Sequence, residues 1–219
     1  MTNRIHRSNI VNNKPNFIFD WSGVISNDLD VVLQTYNLMF AEYGIAALSL
    51  DEFRNTFELP YENFCRRILG DEIDIAVLQD KFRQIYLGHN MTPSVIPGSE
   101  DVLALLTRRG VKMTILSSHS FVSREIERYF PGKNYFSKVY EDIPDKRTCI
   151  HNLLDEMEFD PMHTYYVGDM EHDIITGKLA GVRTIALTTG YRTKEMLEPL
   201  EPDHILDNLR DIVPLLNIC

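Results

Sequence analysis

The chain has 219 residues, of which 44% are hydrophobic and 25% are charged, proportions that are ordinary for a globular protein. Its length suits one mid-sized domain, or a core with a small inserted unit. A formal net charge of −10 at pH 7 argues against unspecific binding to nucleic acid or to an anionic membrane.

The sequence also bears on where the protein is expected to work. Three widely spaced cysteines, Cys65, Cys149 and Cys219, form no CxxC pair and indicate reduced thiols. The polar N-terminus lacks an apolar stretch of signal length, and no run approaches a membrane span. We therefore expect a cytoplasmic protein that binds no membrane.

The first apolar run, at residues 17–19, predicts a short buried strand that ends at Asp20. Residues 29–96 carry apolar residues at helical spacing and no convincing strand. Within this stretch, Ser49 and Glu52 have the spacing of a capping box, in which each side chain accepts a hydrogen bond from the backbone of the other at a helix start. We therefore predict an all-helical insertion after the first strand.

From residue 97 onward, apolar runs alternate with helical patterns. The predicted strands lie at 111–116, 138–140, 164–167 and 184–187, and the predicted helices lie at 99–109, 122–130 and 148–157. Strand followed by helix, repeated, predicts an α/β fold with a Rossmann-like parallel sheet. The chain then divides into an α/β core at 1–28 and 97–219 and an inserted helical cap at 29–96.

Polar side chains follow several of these predicted strands. Asp20 ends the first strand, Ser117 and Ser118 end the second, and Asp169 follows the strand at 164–167. Because ligands bind beyond the carboxyl ends of the strands in open parallel sheets, we expect these side chains to meet in one crevice. Two carboxylates placed together repel, and Mg²⁺ is a cation that commonly pairs one or two carboxylates with a substrate phosphate. The pattern therefore indicates a magnesium site.

Four segments resemble the motifs of the haloacid-dehalogenase-like superfamily of phosphotransferases, and the resemblance covers nearly the whole chain. FDWSGV matches the first motif with Asp20, and TILS matches the second with Ser117. PDKRTCIHNLL matches the third with Lys146, and GDMEHD matches the fourth with Asp169 and Asp173. Residues 29–96 resemble the cap of this family. The subgroup most resembled is the phosphoglycolate-phosphatase-like one.

The resemblance implies a nucleophile and a metal site. Asp20 would attack phosphorus and form an acyl-phosphate, which divides a difficult displacement into two steps. Mg²⁺ would be held by Asp20, Asp169 and the backbone carbonyl of Ser22. Asp173 is also assigned to the metal site, where it would position Lys146 or a metal-bound water. The implied substrate is a small phosphorylated metabolite.

The resemblance also implies a phosphate site. Ser117 would hydrogen-bond the phosphoryl oxygens, although Ser118 is an alternative second-motif residue. Lys146 would add a fixed positive charge beside them. Neither nucleic acid nor a membrane is implied as a partner, and the sequence names no protein partner.

Ser22 departs from the pattern, because the family usually has a second Asp at this position. That Asp protonates the leaving oxygen and later activates water, which a serine hydroxyl cannot do at its ordinary pKa. One alternative is therefore a catalytically impaired relative that binds phospho-ligands or a protein. Another is an enzyme for substrates with good leaving groups, such as acyl phosphates.

A third alternative is an enzyme that resembles phosphonoacetaldehyde hydrolases, whose DWAGT-like motif is close to DWSGV. Such enzymes need a cap lysine for a Schiff base, and Lys81 is the only lysine in residues 29–96. His119 and His172 flank the expected site, and structural roles fit them better than proton transfer. A solvated helix face likewise fits Arg66 and Arg67 better than contact with an anionic substrate.

Overall fold

A computed structural model describes residues 14–88 and 91–217. The parts of the predicted core at 1–13 and 218–219, which include Cys219, lie outside the described residues, as do residues 89–90 of the predicted cap. Cys65 and Cys149 form no disulfide within the described part of the chain.

Two sheets are present in the described residues, and their strands are numbered in chain order. They are β1 (Asn16–Phe19), β2 (Ser26–Asn27), β3 (Ser94–Val95), β4 (Met113–Leu116), β5 (Lys138–Tyr140), β6 (Thr164–Gly168), β7 (Arg183–Leu187) and β8 (His204–Leu206). The main sheet is parallel with the order β5-β4-β1-β6-β7-β8, and β2 and β3 form a separate antiparallel pair. The predicted parallel sheet is confirmed.

Strand β1 lies at the centre of the main sheet and is buried on both of its faces. Phe17 pairs with Met113 of β4 on one side and with Tyr165 of β6 on the other. Phe17 packs with the core on one face of the sheet, whereas Ile18 packs with Leu116 on the other face. This double burial explains why β1 is a continuous apolar run rather than an alternating one.

Helices cover both the sheet and the crevice at its edge. They are α1 (Leu29–Ala41), α2 (Leu50–Thr56), α3 (Tyr61–Leu69), α4 (Ile75–Gly88), α5 (Ser99–Arg108), α6 (Val122–Tyr129), α7 (Ile150–Met157), α8 (Glu171–Leu179) and α9 (Lys194–Leu197). Short 3₁₀ helices lie at Lys146–Thr148, Pro161–His163, Glu198–Leu200 and Leu209–Asn217. Across the described ranges, none of the helices combines the length and the apolarity that crossing a membrane requires.

The insertion between β2 and β3 contains α1 to α4, so the predicted helical insertion is confirmed. At the start of α2, the Ser49 hydroxyl accepts from the Glu52 amide at 3.2 Å and the Ser49 amide donates to Glu52 Oε2 at 2.8 Å, which is the predicted capping box. The insertion has its own aromatic core, in which the ring of Tyr36 contacts those of Phe53 and Phe64.

The two ends of the insertion meet at the β2–β3 pair, where Asn27 lies opposite Ser94. The chain therefore leaves the core and returns to it at one place. Strand β3 lies inside the range assigned to the cap, but it pairs with β2 and not with the main sheet. The division at residues 28 and 97 stays a prediction.

Gly168, the last residue of β6, lets the next helix approach the sheet closely. A Cβ atom at this position would lie 2.2 Å from Cβ of Asp173, on the first turn of α8. Only a residue without a side chain fits there. The absence of a Cβ at Gly168 thus determines where Asp173 lies.

We predict that Gly168→Ala destabilises the protein by about 1–3 kcal/mol, because the added methyl overpacks this contact. Urea unfolding measures the change. Gly88→Ala is the matched control, since a Cβ at the end of α4 meets nothing within 4 Å. Equal free energies of unfolding for Gly168→Ala and the wild type would contradict the prediction.

Candidate active site

Five of the predicted site residues line one cavity at the carboxyl ends of the parallel strands. They are Asp20, Ser22, Ser117, Ser118 and Asp169. The cavity has an empty volume of about 770 Å³, which includes space open to solvent. Residues of α1, α3 and α4 form its opposite wall. The location agrees with the general rule for open parallel sheets.

Lys146 lies behind the cavity wall, in the 3₁₀ helix that precedes α7, and is fully buried. Its Nζ atom is 2.8 Å from Asp20 Oδ2 and 2.7 Å from Asp173 Oδ1. Burial acts to lower the pKa of Lys146, but the two carboxylates raise it above its ordinary value. The ammonium group is therefore charged, and it holds two acidic side chains in place.

Asp20 is 3% exposed and turns its carboxylate toward both the cavity and Lys146. Oδ1 accepts the amide hydrogen of Trp21 at 2.6 Å. Burial raises the pKa of Asp20, while the charge of Lys146 and a hydrogen bond from Ser117 act to lower it. One oxygen thus contacts the lysine and the other accepts from the backbone, which restricts the rotation of the carboxylate.

Asp169 and Asp173 complete an acidic cluster in which carboxylate oxygens of Asp20, Asp169 and Asp173 lie within 4.8 Å of one another. Asp173 has partners for both oxygens, because Lys146 and the Tyr166 hydroxyl donate to Oδ1 and the amides of Asp169 and Met170 donate to Oδ2. This pattern suits a residue that positions the lysine rather than one that turns toward a ligand.

Asp169 differs from Asp173 in having a buried oxygen without a partner. Oδ2 accepts the Tyr191 amide at 2.6 Å, while Oδ1 has no hydrogen-bond partner. Gly23, at φ +70°, and Gly190 approach so closely that a Cβ on either would lie within about 2.3 Å of Oδ2. Burial and repulsion from Asp173 and Asp20 raise the pKa of Asp169.

The cluster fits a divalent cation. Three buried carboxylates face a single lysine, so ionising all three would leave negative charge uncompensated, and burying unpaired charge is costly. The orphaned oxygen of Asp169 and the cavity-facing carboxylate of Asp20 are hard oxygen donors of the kind that Mg²⁺ prefers. The residues present therefore suit the predicted metal.

The hydroxyl of Ser22 does not point freely into the cavity. It donates to Asp28 Oδ2 at 2.5 Å, and Asp28 is fully buried with no partner for Oδ1. Burial, with a contribution from the charge of Glu125, raises the pKa of Asp28 to about 7, although His119 and Ser22 act against the rise. We missed Asp28 in the sequence, where it marked only the start of the insertion.

A second missed residue, Glu125 on α6, is the centre of a buried hydrogen-bond network. Its carboxylate accepts from Trp21 Nε1 at 2.6 Å, from the Tyr86 hydroxyl at 2.7 Å and from the Ser26 hydroxyl at 3.2 Å, and it pairs with His119 Nε2 at 3.1 Å. Because Trp21 follows Asp20 and Tyr86 belongs to α4, this network joins the segment after β1 to a helix of the insertion.

The two histidines have opposite electrostatic environments. Burial alone would lower the pKa of His119, but Glu125 raises it, with smaller effects from Asp28 and Asp20. Burial lowers the pKa of His172 to about 4, and its Nε2 accepts the Lys146 amide at 3.1 Å. His172 is therefore a neutral acceptor that positions the lysine backbone.

Several other predicted residues lie away from the cavity lining. Lys81 pairs with Glu42 on the insertion surface. Arg66 donates to the carbonyl of Asp71, and Arg67 donates to Glu58. Ser118 does line the cavity, and its hydroxyl is 3.5 Å from the carbonyl oxygen of Pro144, at the limit of a hydrogen bond.

Comparison with known proteins identifies the protein family to which this fold and site belong. The family model for haloacid dehalogenase-like hydrolases matches residues 17–187. The chain belongs to this family, and the predicted resemblance is confirmed. It is a hydrolase of that family.

Individual relatives are distant in sequence and similar over nearly the whole chain. Phosphoglycolate phosphatase 1 of Pseudomonas aeruginosa is 26% identical over 212 residues, which cover 90% of this chain and 78% of that protein. Pyrophosphatase PpaX of Oceanobacillus iheyensis is 23% identical over 204 residues, covering 90% and 91%.

A solved structure agrees in fold. The crystal structure of a predicted phosphatase from Clostridium acetobutylicum matches with a TM-score of 0.82 at 18% identity, covering 94% of this chain and 100% of that chain.

We predict that Glu125→Gln lowers the pKa of His119, because the charge that opposes the effect of burial is removed, while Asp28 and Asp20 remain. Loss of the ionic hydrogen bonds should also cost about 1–3 kcal/mol of stability. NMR titration of the His119 ring measures the first effect, and urea unfolding measures the second. Glu127→Gln, on the exposed face of the same helix, is the control.

The direction in which stability changes with pH follows from the raised pKa of His119. Its stabilising contribution is complete below the unfolded pKa of about 6.5 and is lost as the pH rises through the folded value. The wild type should therefore lose more stability than Glu125→Gln between pH 6 and pH 8. An unchanged His119 pKa in the variant would contradict this account.

Proposed function

We propose that this protein is a Mg²⁺-dependent phosphohydrolase that cleaves a small phosphorylated substrate through a phospho-Asp20 intermediate. The observation that carries the proposal is the buried Asp20–Lys146–Asp173 arrangement, with Asp20 facing a cavity. Support also comes from the two relatives above, whose names are those of a phosphatase and a pyrophosphatase.

In this proposal, Asp20 is the nucleophile. Its carboxylate oxygen forms a bond to phosphorus as the bond between phosphorus and the leaving oxygen breaks, and water then hydrolyses the acyl-phosphate. Lys146 keeps the attacking carboxylate oriented and favours its ionised form. Ser117 and Ser118, at the end of β4, would donate hydrogen bonds to the phosphoryl oxygens.

Asp20, Asp169 and the backbone carbonyl of Ser22 would hold Mg²⁺. The cation would offset the repulsion between the carboxylate and the phosphate dianion. Asp173 contributes through Lys146, because both of its oxygens already have hydrogen-bond partners. Localisation in the cytoplasm stays part of the proposal.

The structure lends less support to the alternatives. A phosphonoacetaldehyde-hydrolase-like reaction needs a lysine at the substrate, whereas Lys81 pairs with Glu42 outside the cavity lining. A purely binding relative has no need for the buried lysine between two carboxylates, which is costly to desolvate. Hydrolysis is therefore the function that this site supports best.

Asp20→Asn should abolish turnover of acetyl phosphate and aryl phosphates, because an amide does not attack phosphorus. Acid-quenched wild-type protein should carry phosphate on Asp20, detected by mass spectrometry, and a chelator should remove the activity. Asp155→Asn, an exposed change on α7, is the control for fold and handling. Turnover that survives in Asp20→Asn would refute the phospho-aspartate route.

The hydrogen bond between Ser22 and Asp28 generates a second prediction. Without an acid at position 22, wild-type rates should fall steeply as the leaving-group pKa rises, so aryl phosphates should react far faster than alkyl phosphates. Ser22→Asp should speed alkyl-phosphate turnover. However, the new carboxylate would face Asp28, since the wild-type hydroxyl lies 2.5 Å from that side chain.

The double variant Ser22→Asp/Asp28→Asn removes this repulsion and should give the larger gain, up to about 10²-fold for alkyl phosphates. Asp28→Asn alone is the matched control. The test is a comparison of steady-state rates of the wild type and the variants on one aryl and one alkyl phosphate. If the wild type hydrolyses both esters equally fast, another group already supplies the proton.

A further inference from the structure

We infer that the substrate is a phosphate monoester whose leaving group is apolar and uncharged. This inference rests on the proposed function, and it concerns the half of the cavity that faces the insertion. That wall also carries Gln79, Arg83 and Tyr61, but most of its side chains are hydrophobic, namely Val32, Tyr36, Met39, Phe57, Leu59, Cys65, Leu78 and Phe82. Most of them belong to the hydrophobic core of the insertion.

Apart from Gln79, Arg83 and Tyr61, the polar groups of the cavity are concentrated at its other end. They follow the strands of the main sheet and are Asp20, Ser22, Ser117, Ser118, His119, Ser120 and Asp169. A phosphate bound there, next to Asp20, would direct the rest of the molecule toward the insertion. The leaving group would then contact the hydrophobic wall.

Each cationic side chain in the described lining of the cavity already has an acidic partner. Arg83 donates to Asp142 Oδ2 at 2.7 Å and lies 3.6 Å from Asp80 Oδ1. Gln79 also donates to Asp142, at 3.3 Å. His119, the other group that can carry positive charge, pairs with Glu125 at 3.1 Å.

The remaining basic residues in the described part of the insertion are not among the residues that line the cavity, and one of them, Arg54, donates to the carbonyl of Gly190 at 3.3 Å. Arg66, Arg67 and Lys81 are absent from its lining and have partners elsewhere. A carboxylate on the leaving group would therefore lose water without gaining an unpaired cation in the described lining of the cavity, which is unfavourable. A methylene group at the same place gains from burial, by roughly threefold to fourfold in affinity.

This chemistry points away from phosphoglycolate, whose leaving group carries a carboxylate, although the relative from Pseudomonas aeruginosa is named for that substrate. It favours monoesters of apolar phenols or alcohols. Phenols agree with Ser22 as well, because a phenolate leaves without a proton from the enzyme. The side chains of the insertion thus select a chemical class that the motif residues do not specify.

The test compares two esters of matched size and similar leaving-group pKa, 4-propylphenyl phosphate and 4-(2-carboxyethyl)phenyl phosphate. In both, methylene groups insulate the phenol oxygen from the distal end of the substituent. We expect kcat/KM of the wild type to favour the propyl ester by about tenfold or more, since carboxylate burial is opposed and methyl burial is favoured.

Asp142→Asn is the informative variant, because it removes the nearer acidic partner of Arg83 without changing the size of the side chain, and leaves only Asp80 at 3.6 Å. Asp142 has φ 58°, a conformation that asparagine tolerates. The guanidinium of Arg83 should then raise kcat/KM for the carboxylated ester. The ratio of kcat/KM for the propyl ester to kcat/KM for the carboxylated ester should therefore fall. Asp101→Asn is the matched control, since it also releases an arginine, Arg210, at a distance from the cavity lining.

Equal kcat/KM for the two esters in the wild type, or an unchanged ratio in Asp142→Asn, would overturn the inference while leaving the phosphohydrolase intact. If neither ester, phenyl phosphate nor acetyl phosphate is hydrolysed, the proposed function fails. In that case, calorimetric measurement of the binding of the two esters to the wild type tests the preference for an apolar leaving group independently of catalysis. Tighter binding of the propyl ester supports it, and equal or absent binding overturns it.

Discussion

The arrangement of acidic side chains in the candidate active site depends on one buried cation. The Nζ atom of Lys146 lies between Asp20 and Asp173, at 2.8 Å and 2.7 Å, with no exposure to solvent. Removing a lysine from water is so unfavourable that the group remains charged only with close anionic partners. Strand β1, the 3₁₀ helix before α7 and the start of α8 must therefore meet at a fixed distance.

The same arrangement explains the excess of negative charge beside the cavity. One lysine compensates only part of the charge of three carboxylates, and Asp169 keeps an oxygen without a partner. Glycines at positions 23 and 190 let the backbone close around this side chain. The fold thus holds a cluster of three buried carboxylates that suits the divalent cation of the proposed function.

Around this core, further buried contacts connect residues beside the cavity. Ser22 donates a hydrogen bond to the buried carboxyl group of Asp28, and Glu125 connects Trp21, next to Asp20, with Tyr86 of the insertion. These contacts place polar groups beneath the cavity while the opposite wall stays hydrophobic. The end of the cavity that would bind phosphate is therefore chemically distinct from the end that would accept the leaving group.

The order and type of the main elements could be predicted from local patterns alone. Runs of apolar residues revealed β1, β4, β6 and β7, because a strand buried on both faces is apolar throughout. Strand β8 was missed, since its three residues are only partly buried and form no such run. Strands β2 and β3 have two residues each and depend on pairing across the insertion.

The residues that converge at the site were also accessible from the sequence, because parallel strands bring their carboxyl ends to one edge. Tertiary structure alone revealed Glu125, Asp28 and the pairing of Arg83 with Asp142. In the sequence, Glu125 is one acid among the charged residues of a surface-like helix. Its burial, like the neutralisation of Arg83, results from contacts between segments far apart in the chain, and side-chain periodicity carries no information about such contacts.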